Sequence, residues 1–143
     1  MSTNCPYCNG GPALADFAYK VGDISDYSTL YLFKEQSHPG RMVVAWKGHV
    51  SEIADLSPEE LKGYMEDVAR VARMIRKMYK PDKINYGAFG DLLPHLHFHM
   101  VPKYRDQFEW GGTFQMNPRA KELTEDEAAV IIEKIKKEIP VKG

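Results

Sequence analysis

The chain has little cysteine, no long apolar run and almost no net charge, and each shortage excludes a class of protein. Nineteen basic and twenty acidic residues give a net charge of −1, so no general field favours nucleic acid or an anionic membrane as a partner. No apolar stretch approaches the roughly 18 residues that a membrane-spanning helix requires. The first five residues lack the basic and apolar regions of a signal peptide. We therefore expect a cytoplasmic protein.

The two cysteines lie together in Cys5-Pro6-Tyr7-Cys8. In a reducing compartment such a pair is more often metal-binding or redox-active than a structural disulfide. A redox pair would follow a strand and open a helix, whereas turn residues 9–12 follow this one, so the redox interpretation is the weaker. Two further ligands from elsewhere would complete a tetrahedral zinc site.

The spacing of apolar and polar residues predicts a single α+β domain over residues 1–143, with a mostly antiparallel sheet. Ser57, Pro58 and Glu60 form a capping box that begins one long central helix, which ends before Pro81. A second capping box at 124–127 begins a C-terminal helix. Strands are predicted at residues 17–21, 29–34, 41–46, 83–89 and 96–103.

Residues 95–101 are the most informative segment, because three of the five histidines alternate there with apolar residues. Alternation with a period of two predicts a strand that carries His95, His97 and His99 on one face. On an undistorted strand the backbone positions of His95 and His99 would lie about 13 Å apart. One metal shared by all three is therefore less plausible than a separate task for each histidine.

The segment resembles the signature of the histidine triad (HIT) superfamily of nucleotide-binding hydrolases and transferases. The preceding Asn85-Tyr86-Gly87-Ala88-Phe89-Gly90 is similar to the family's Asn-x-Gly…Gly segment, and Val101-Pro102-Lys103 resembles its apolar-Pro-Arg ending. The long helix and the strand ending at Lys47-Gly48-His49 fall where the family has them.

The resemblance implies a role for each site residue. His97 would attack the α-phosphorus of a 5′-substituted nucleotide, and water would hydrolyse the nucleotidyl-histidine. A neutral imidazole suits this task near pH 7. His99 would bind phosphate oxygens and assist the leaving group, Asn85 would donate to the same phosphate, and Gly90 would let the backbone approach it.

Resemblance to bacterial members with an N-terminal Cys-x-x-Cys implies a structural zinc held by Cys5, Cys8, His49 and His95. Such mixed ligation suits a closed tetrahedral site. The alternative is an empty thiol pair with His49 on the surface. His38 matches no family position, and we expect it to be a solvated loop residue.

Several positions depart from the family pattern. Asp91 and Leu92 replace a usual Gln and a Ser or Thr that contact phosphate, and a carboxylate facing a polyphosphate is repulsive. Asp91 is thus a candidate substrate contact that leaves the leaving group open. Glu35 falls near the ribose-binding position and can accept both ribose hydroxyls. Arg41 replaces a common His and is either a cation near the phosphate path or a solvated residue. Trp110 lies either near the pocket or in ordinary packing.

The leading hypothesis is a HIT-type nucleotide hydrolase that acts on adenine nucleotides, of the AMP phosphoramidate or dinucleoside polyphosphate type. The alternative is a non-catalytic nucleotide-binding regulatory module, which Arg41, Asp91 and Leu92 favour. A small zinc-dependent interaction protein would have no need of three aligned histidines. By resemblance we also expect a homodimer.

Overall fold

The computed structural model describes residues 5–9 and 12–143. Within these ranges five strands and four α-helices follow one another, with a short 3-10 helix at Ile53–Asp55. The strands are β1 (Ala18–Asp23), β2 (Ser28–Phe33), β3 (Met42–Trp46), β4 (Lys83–Gly87) and β5 (His97–Lys103). The helices are α1 (Pro6–Asn9), α2 (Pro12–Ala15), α3 (Pro58–Tyr79) and α4 (Glu125–Glu138).

The strands form one antiparallel sheet in the order β1-β2-β3-β5-β4, so the predicted α+β class is confirmed. Both predicted capping boxes are present, at Ser57 for α3 and at Thr124 for α4. The short helices α1 and α2 were not predicted, because four residues are too few to show a helical period. No helix in the described ranges combines the length and the apolar content needed to cross a bilayer.

One face of the sheet packs against the two long helices and contains the main core. On α3, Tyr64 is fully buried and its hydroxyl donates to the Val44 carbonyl at 2.7 Å, which fixes the helix across β3. Met100 of β5 and Ile135 of α4 belong to the same apolar cluster. Because side chains alternate along a strand, the helices leave the other face of β5, with His97 and His99, available for a site.

Segment 104–123 follows β5 and returns the chain to the sheet before α4 begins. At its end this segment pairs with the residues that follow β2: Gln36 N–H donates to the Lys121 carbonyl, and Leu123 N–H donates to the Lys34 carbonyl. An isolated antiparallel bridge joins Glu35 and Glu122. The pairing buries the end of β2, which determines where Glu35 and Arg41 lie.

Candidate active site

A cavity of about 380 Å³ lies over the face of β5 opposite the long helices. His97 and His99 lie in its wall, opposite Ala45 and Val43 of β3 in the antiparallel register. These small partners leave space above the two imidazoles. The complete lining comprises Tyr7, Phe17, Phe33, Phe89, Gly90, Asp91, Leu92, Leu93, His97, His99, Met116 and Asn117.

The backbone orients the His97 imidazole. Its Nδ1 lies 2.6 Å from the carbonyl oxygen of His95, and only a protonated Nδ1 can donate there. Nε2 therefore carries the lone pair. Burial lowers the pKa of His97, with the His95 hydrogen bond opposing that shift, so the ring is neutral near pH 7. The arrangement supplies a neutral nucleophilic nitrogen in the wall of the cavity.

His99 has the opposite tautomer. Arg41 Nη2 lies 3.3 Å from His99 Nδ1, and a guanidinium is only a donor, so Nδ1 accepts and Nε2 carries the proton. Burial, together with the charge of Arg41 and then the influence of His97, lowers the pKa of His99 to about 3. His99 is thus a neutral hydrogen-bond donor in the cavity wall, and its ring centroid is 5.2 Å from that of His97.

Four predicted metal ligands converge beside the cavity, and their ligand atoms lie within 4.8 Å of one another. His95 Nδ1 is 3.3 Å from Cys5 Sγ and 3.5 Å from Cys8 Sγ. His49 Nδ1 is 3.1 Å from Cys8 Sγ and 3.2 Å from His95 Nδ1. Bonds of 2.0–2.3 Å around a tetrahedral zinc imply ligand separations of about 3.3–3.8 Å. The two distances from His95 to the cysteines lie in this range, and the two from His49 are slightly shorter. The cluster can therefore bind a metal ion such as zinc.

His95 departs from the predicted arrangement of three histidines on one strand. Strand β5 begins at His97, and His95 lies in the bend before it, with its N–H donating to the Leu93 carbonyl at 2.7 Å. Its Nε2 donates to the Trp46 carbonyl at 2.7 Å, which leaves Nδ1 as the ligand atom. In this bend the His95 ring presents Nδ1 to both cysteines.

Tyr7 links the metal cluster to the cavity, a contact that sequence reasoning missed. It lies in α1 between the two cysteines, and its ring centroid is 4.8 Å from that of His97 and 5.2 Å from that of His95. Ligation of both cysteines would hold this ring against His97. The Cys-Pro-Tyr-Cys motif itself was the only available signal, because a residue between two ligands stays close to their metal.

The segment before β5 forms one rim of the cavity. Gly90 has a φ of +101°, which favours glycine, and a Cβ there would stand 3.1 Å from the Leu93 carbonyl oxygen. Asp91 is exposed and lines the cavity together with Leu92, whose side chain is 93% exposed. The structure therefore brings Gly90 and Asp91 to the two catalytic candidates.

The structure does not bring Glu35 to the cavity. Its carboxylate is buried and accepts hydrogen bonds from the Ser37 N–H and hydroxyl and from the N–H groups of Ala120 and Lys121, at 2.7–2.9 Å. Burial would raise the pKa of Glu35, but these bonds lower it overall. This carboxylate joins segment 104–123 to the end of β2, which favours a structural role over the predicted ribose contact.

Asn85 and Trp110 also lie elsewhere. Asn85 pairs with Val101, and its side chain shares the face of His99, but it lines a neighbouring cavity of about 470 Å³. Trp110 lines that second cavity, where the Arg105 guanidinium lies 5.1 Å from its ring centroid. The predicted contact of Asn85 with the same phosphate as His97 stays a prediction.

Two residues expected near solvent are buried. The solvated-loop prediction for His38 is wrong: its Nε2 is 2.7 Å from Glu109 Oε1, and its ring packs against Phe108. Arg41 is fully buried, which excludes its interpretation as a solvated residue. Both lie beneath segment 104–123, whose irregular sequence gave no signal for this packing.

Comparison of the sequence with known proteins identifies the family. The HIT domain family matches residues 24–106, and the chain belongs to this family, which confirms the predicted resemblance. The chain is 33% identical to an AP-4-A phosphorylase of Mycobacterium tuberculosis over 92 residues, 60% of this chain and 43% of that protein. It is 32% identical to a bis(5'-adenosyl)-triphosphatase of Saccharomyces cerevisiae over 73 residues, 47% of this chain and 35% of that protein. The chain thus spans less than half the length of these relatives.

Solved structures share the fold. A histidine triad protein from Bradyrhizobium japonicum superposes with a TM-score of 0.80 at 22% identity, over 90% of this chain and 96% of that one. A histidine triad protein from Marinobacter aquaeolei VT8 gives a TM-score of 0.81 at 21% identity, over 90% and 93% of the two chains. At these identities the likeness concerns the fold.

Proposed function

We propose that this protein is a nucleotide hydrolase or transferase that cleaves the α-phosphate linkage of 5′-substituted nucleotides through a nucleotidyl-histidine intermediate. The observation that carries the proposal is the hydrogen bond from His97 Nδ1 to the His95 carbonyl, since it leaves the Nε2 lone pair on a neutral ring in the cavity wall.

In the first step His97 Nε2 attacks the α-phosphorus and a P–N bond forms. The bond to the leaving group breaks, and that group leaves with the bonding electron pair and takes up a proton from solvent. The imidazole gains positive charge, which strengthens the Nδ1–H donation to the His95 carbonyl. Water then attacks the phosphorus and releases a proton to solvent, the P–N bond breaks, and the electron pair returns to Nε2. The product is a nucleoside monophosphate.

His99 contributes the second catalytic interaction. Its Nε2–H, set by the contact of Nδ1 with Arg41, would donate to a non-bridging oxygen of the α-phosphate. Charge on that oxygen rises in the transition state, so the hydrogen bond favours the transition state over the bound substrate. The low pKa of His99 keeps it a neutral donor near pH 7.

The cavity supports an adenine nucleotide as substrate. Its volume of about 380 Å³ lies within the usual range of small-molecule sites, and three phenylalanines in its wall provide apolar contact for a base. The names of the two curated relatives refer to diadenosine compounds. Asp91 at the rim disfavours a polyphosphate leaving group, because like charges repel across a short distance. We therefore favour an adenosine phosphoramidate over a dinucleoside polyphosphate.

We further propose that zinc occupies the cluster of Cys5, Cys8, His49 and His95 in a structural role. Four protein ligands leave no open coordination position, so the ion would supply only a cross-link. Helix α1 would be joined to the residues preceding β5, with Tyr7 held against His97.

The proposal is tested by AMP release from an adenosine phosphoramidate and from a diadenosine polyphosphate, with wild-type protein and His97→Asn. We expect the phosphoramidate to be cleaved faster and His97→Asn to lose turnover while AMP binding, measured by calorimetry, persists. A wild-type protein that binds AMP and cleaves neither substrate over hours would instead be the non-catalytic nucleotide-binding module.

A further inference from the structure

Arg41 is a fully buried cation that touches none of the reacting atoms in the proposed reaction. Within the part of the chain that the structure describes, no carboxylate oxygen lies within ion-pair distance of its guanidinium. Its Nε has no hydrogen-bond partner among the described residues. A buried charge without a carboxylate partner and with an unused donor costs stability, and such a cost is typical of a functional site.

Hydrogen bonds and an aromatic ring hold the guanidinium beside the site. Nη2 donates to His99 Nδ1 at 3.3 Å and to the Met116 carbonyl at 2.8 Å, and Nη1 donates to the Gln115 carbonyl at 3.2 Å. Its carbon Cζ lies 4.0 Å from the centroid of the Phe33 ring. Arg41 is therefore held on one side by an aromatic ring of the cavity wall and on the other by the loop that supplies Met116.

The contact with His99 decides which nitrogen of that ring can reach a substrate. A guanidinium has five donors and no acceptor, so His99 Nδ1 must be unprotonated where Arg41 meets it. The ring proton is then on Nε2. A rotated or Nδ1-protonated ring would instead present a lone pair to an anionic phosphate, which is repulsive. Burial lowers the pKa of Arg41 to about 10, against the opposing charges of Glu35 and Glu109, so the guanidinium stays charged near pH 7.

We propose that Arg41 is a positioning residue that fixes His99 in the Nε2-protonated tautomer, so that His99 donates to a phosphoryl oxygen with a permanent positive charge behind it. The inference deepens the proposed function and rests on it. The substrate class that it selects is a nucleotide with an anionic α-phosphoryl group. Arg41 acts through His99 and makes no contact with the reacting atoms.

The tautomer can be read directly, without substrate, by long-range ¹H–¹⁵N NMR of histidine-labelled protein. In wild-type protein we expect His99 to be protonated at Nε2 only. Arg41→Met, which keeps much of the side-chain volume and removes every donor, should give a mixture of tautomers. Wild-type His99 protonated at Nδ1 would overturn the proposal. Because this measurement uses wild-type protein, it does not depend on the folding of any variant.

Kinetics separate positioning from simple structural support. We expect Arg41→Met to lower kcat by about 10- to 100-fold, with a smaller change in KM, as for the loss of an interaction that matters most in the transition state. Arg41→Lys keeps the charge but gives up the planar fork, and should retain more activity than Arg41→Met. Equal losses in Arg41→Lys and Arg41→Met, or a loss confined to KM, would contradict the proposal.

A double-mutant cycle tests whether Arg41 acts through His99. If it does, Arg41→Met has little further effect, about twofold or less, in a His99→Ala background. Full additivity of the two losses would overturn the proposal. Absence of turnover in wild-type protein would contradict the proposed function, while the tautomer in the substrate-free protein would still decide the link between Arg41 and His99.

Discussion

The backbone of His95 hydrogen-bonds to the His97 ring, and its side chain belongs to the cluster of four predicted metal ligands. Its carbonyl oxygen accepts the Nδ1–H of His97 at 2.6 Å, while its own Nδ1 lies 3.3 Å from Cys5 Sγ. The bend that contains His95 ends where β5 begins. A metal ion bound by the His95 ring would therefore also restrain the carbonyl that orients His97, the proposed nucleophile.

The first prediction concerns the metal. Purified without chelators, the protein should contain about one zinc ion per chain, and Cys8→Ser should lose most of it. Since the cluster cross-links α1 to the start of β5, loss of the ion should lower the Tm by about 5 °C or more. It should also weaken AMP binding, because Tyr7 would no longer be held against His97. Elemental analysis, calorimetry and thermal unfolding provide the three measurements.

The control for the metal prediction is Ser51→Ala, an exposed substitution near His49 that changes none of the four ligands. It should keep the wild-type zinc content. A gently purified wild-type protein without zinc, or a Cys8→Ser variant with unchanged Tm, would contradict a structural metal at this cluster.

The second prediction separates the structural role of Glu35 from ribose binding. Glu35→Gln removes the charge that four donors share, and should lower the free energy of unfolding by about 1–3 kcal/mol. The exposed Glu133→Gln is the matched control and should change it by less than about 0.5 kcal/mol. Among proteins that remain folded, the ratio of AMP to 2′-deoxy-AMP affinity should not change. A ratio that falls toward one in Glu35→Gln, and not in the control, would support the ribose contact.

The third prediction follows from the low pKa of His99. The unfolded chain binds a proton at this residue below about pH 6.5, whereas the folded protein binds it only near pH 3. Its contribution to stability is therefore present above pH 6.5 and is lost as the pH falls toward 3, by up to about 1.4 kcal/mol per pH unit. Denaturant unfolding at several pH values should give a steeper acid loss for wild-type protein than for His99→Gln. Identical slopes would show that His99 titrates normally.

Much of the fold could be predicted because its signals are local. The capping boxes at Ser57 and Thr124 fix where α3 and α4 begin, and alternation predicts β5 to within one residue. The four ligand candidates for the metal required the family resemblance, since His49 and the cysteines are far apart in sequence. In the structure they meet around His95.

Several of the features that could not be predicted depend on segment 104–123. This segment has no periodic pattern, yet its backbone supplies partners for Glu35 and Arg41, and its Glu109 is the partner of His38. Counting along the sequence placed Glu35 at a ribose position, because nothing local indicated that the N–H groups of residues 120 and 121 would reach it first. The homodimer and the cytoplasmic location stay predictions.

The most direct test of the central claim is the detection of the covalent intermediate. Wild-type protein is mixed with an adenosine phosphoramidate, quenched with base to preserve the P–N bond, and examined by intact-mass and peptide mass spectrometry. We predict a transient adduct of one adenylyl group on His97, absent in His97→Ala, whose turnover should fall by about 10⁴-fold or more. An adduct on another residue, or undiminished turnover by His97→Ala, would contradict the account.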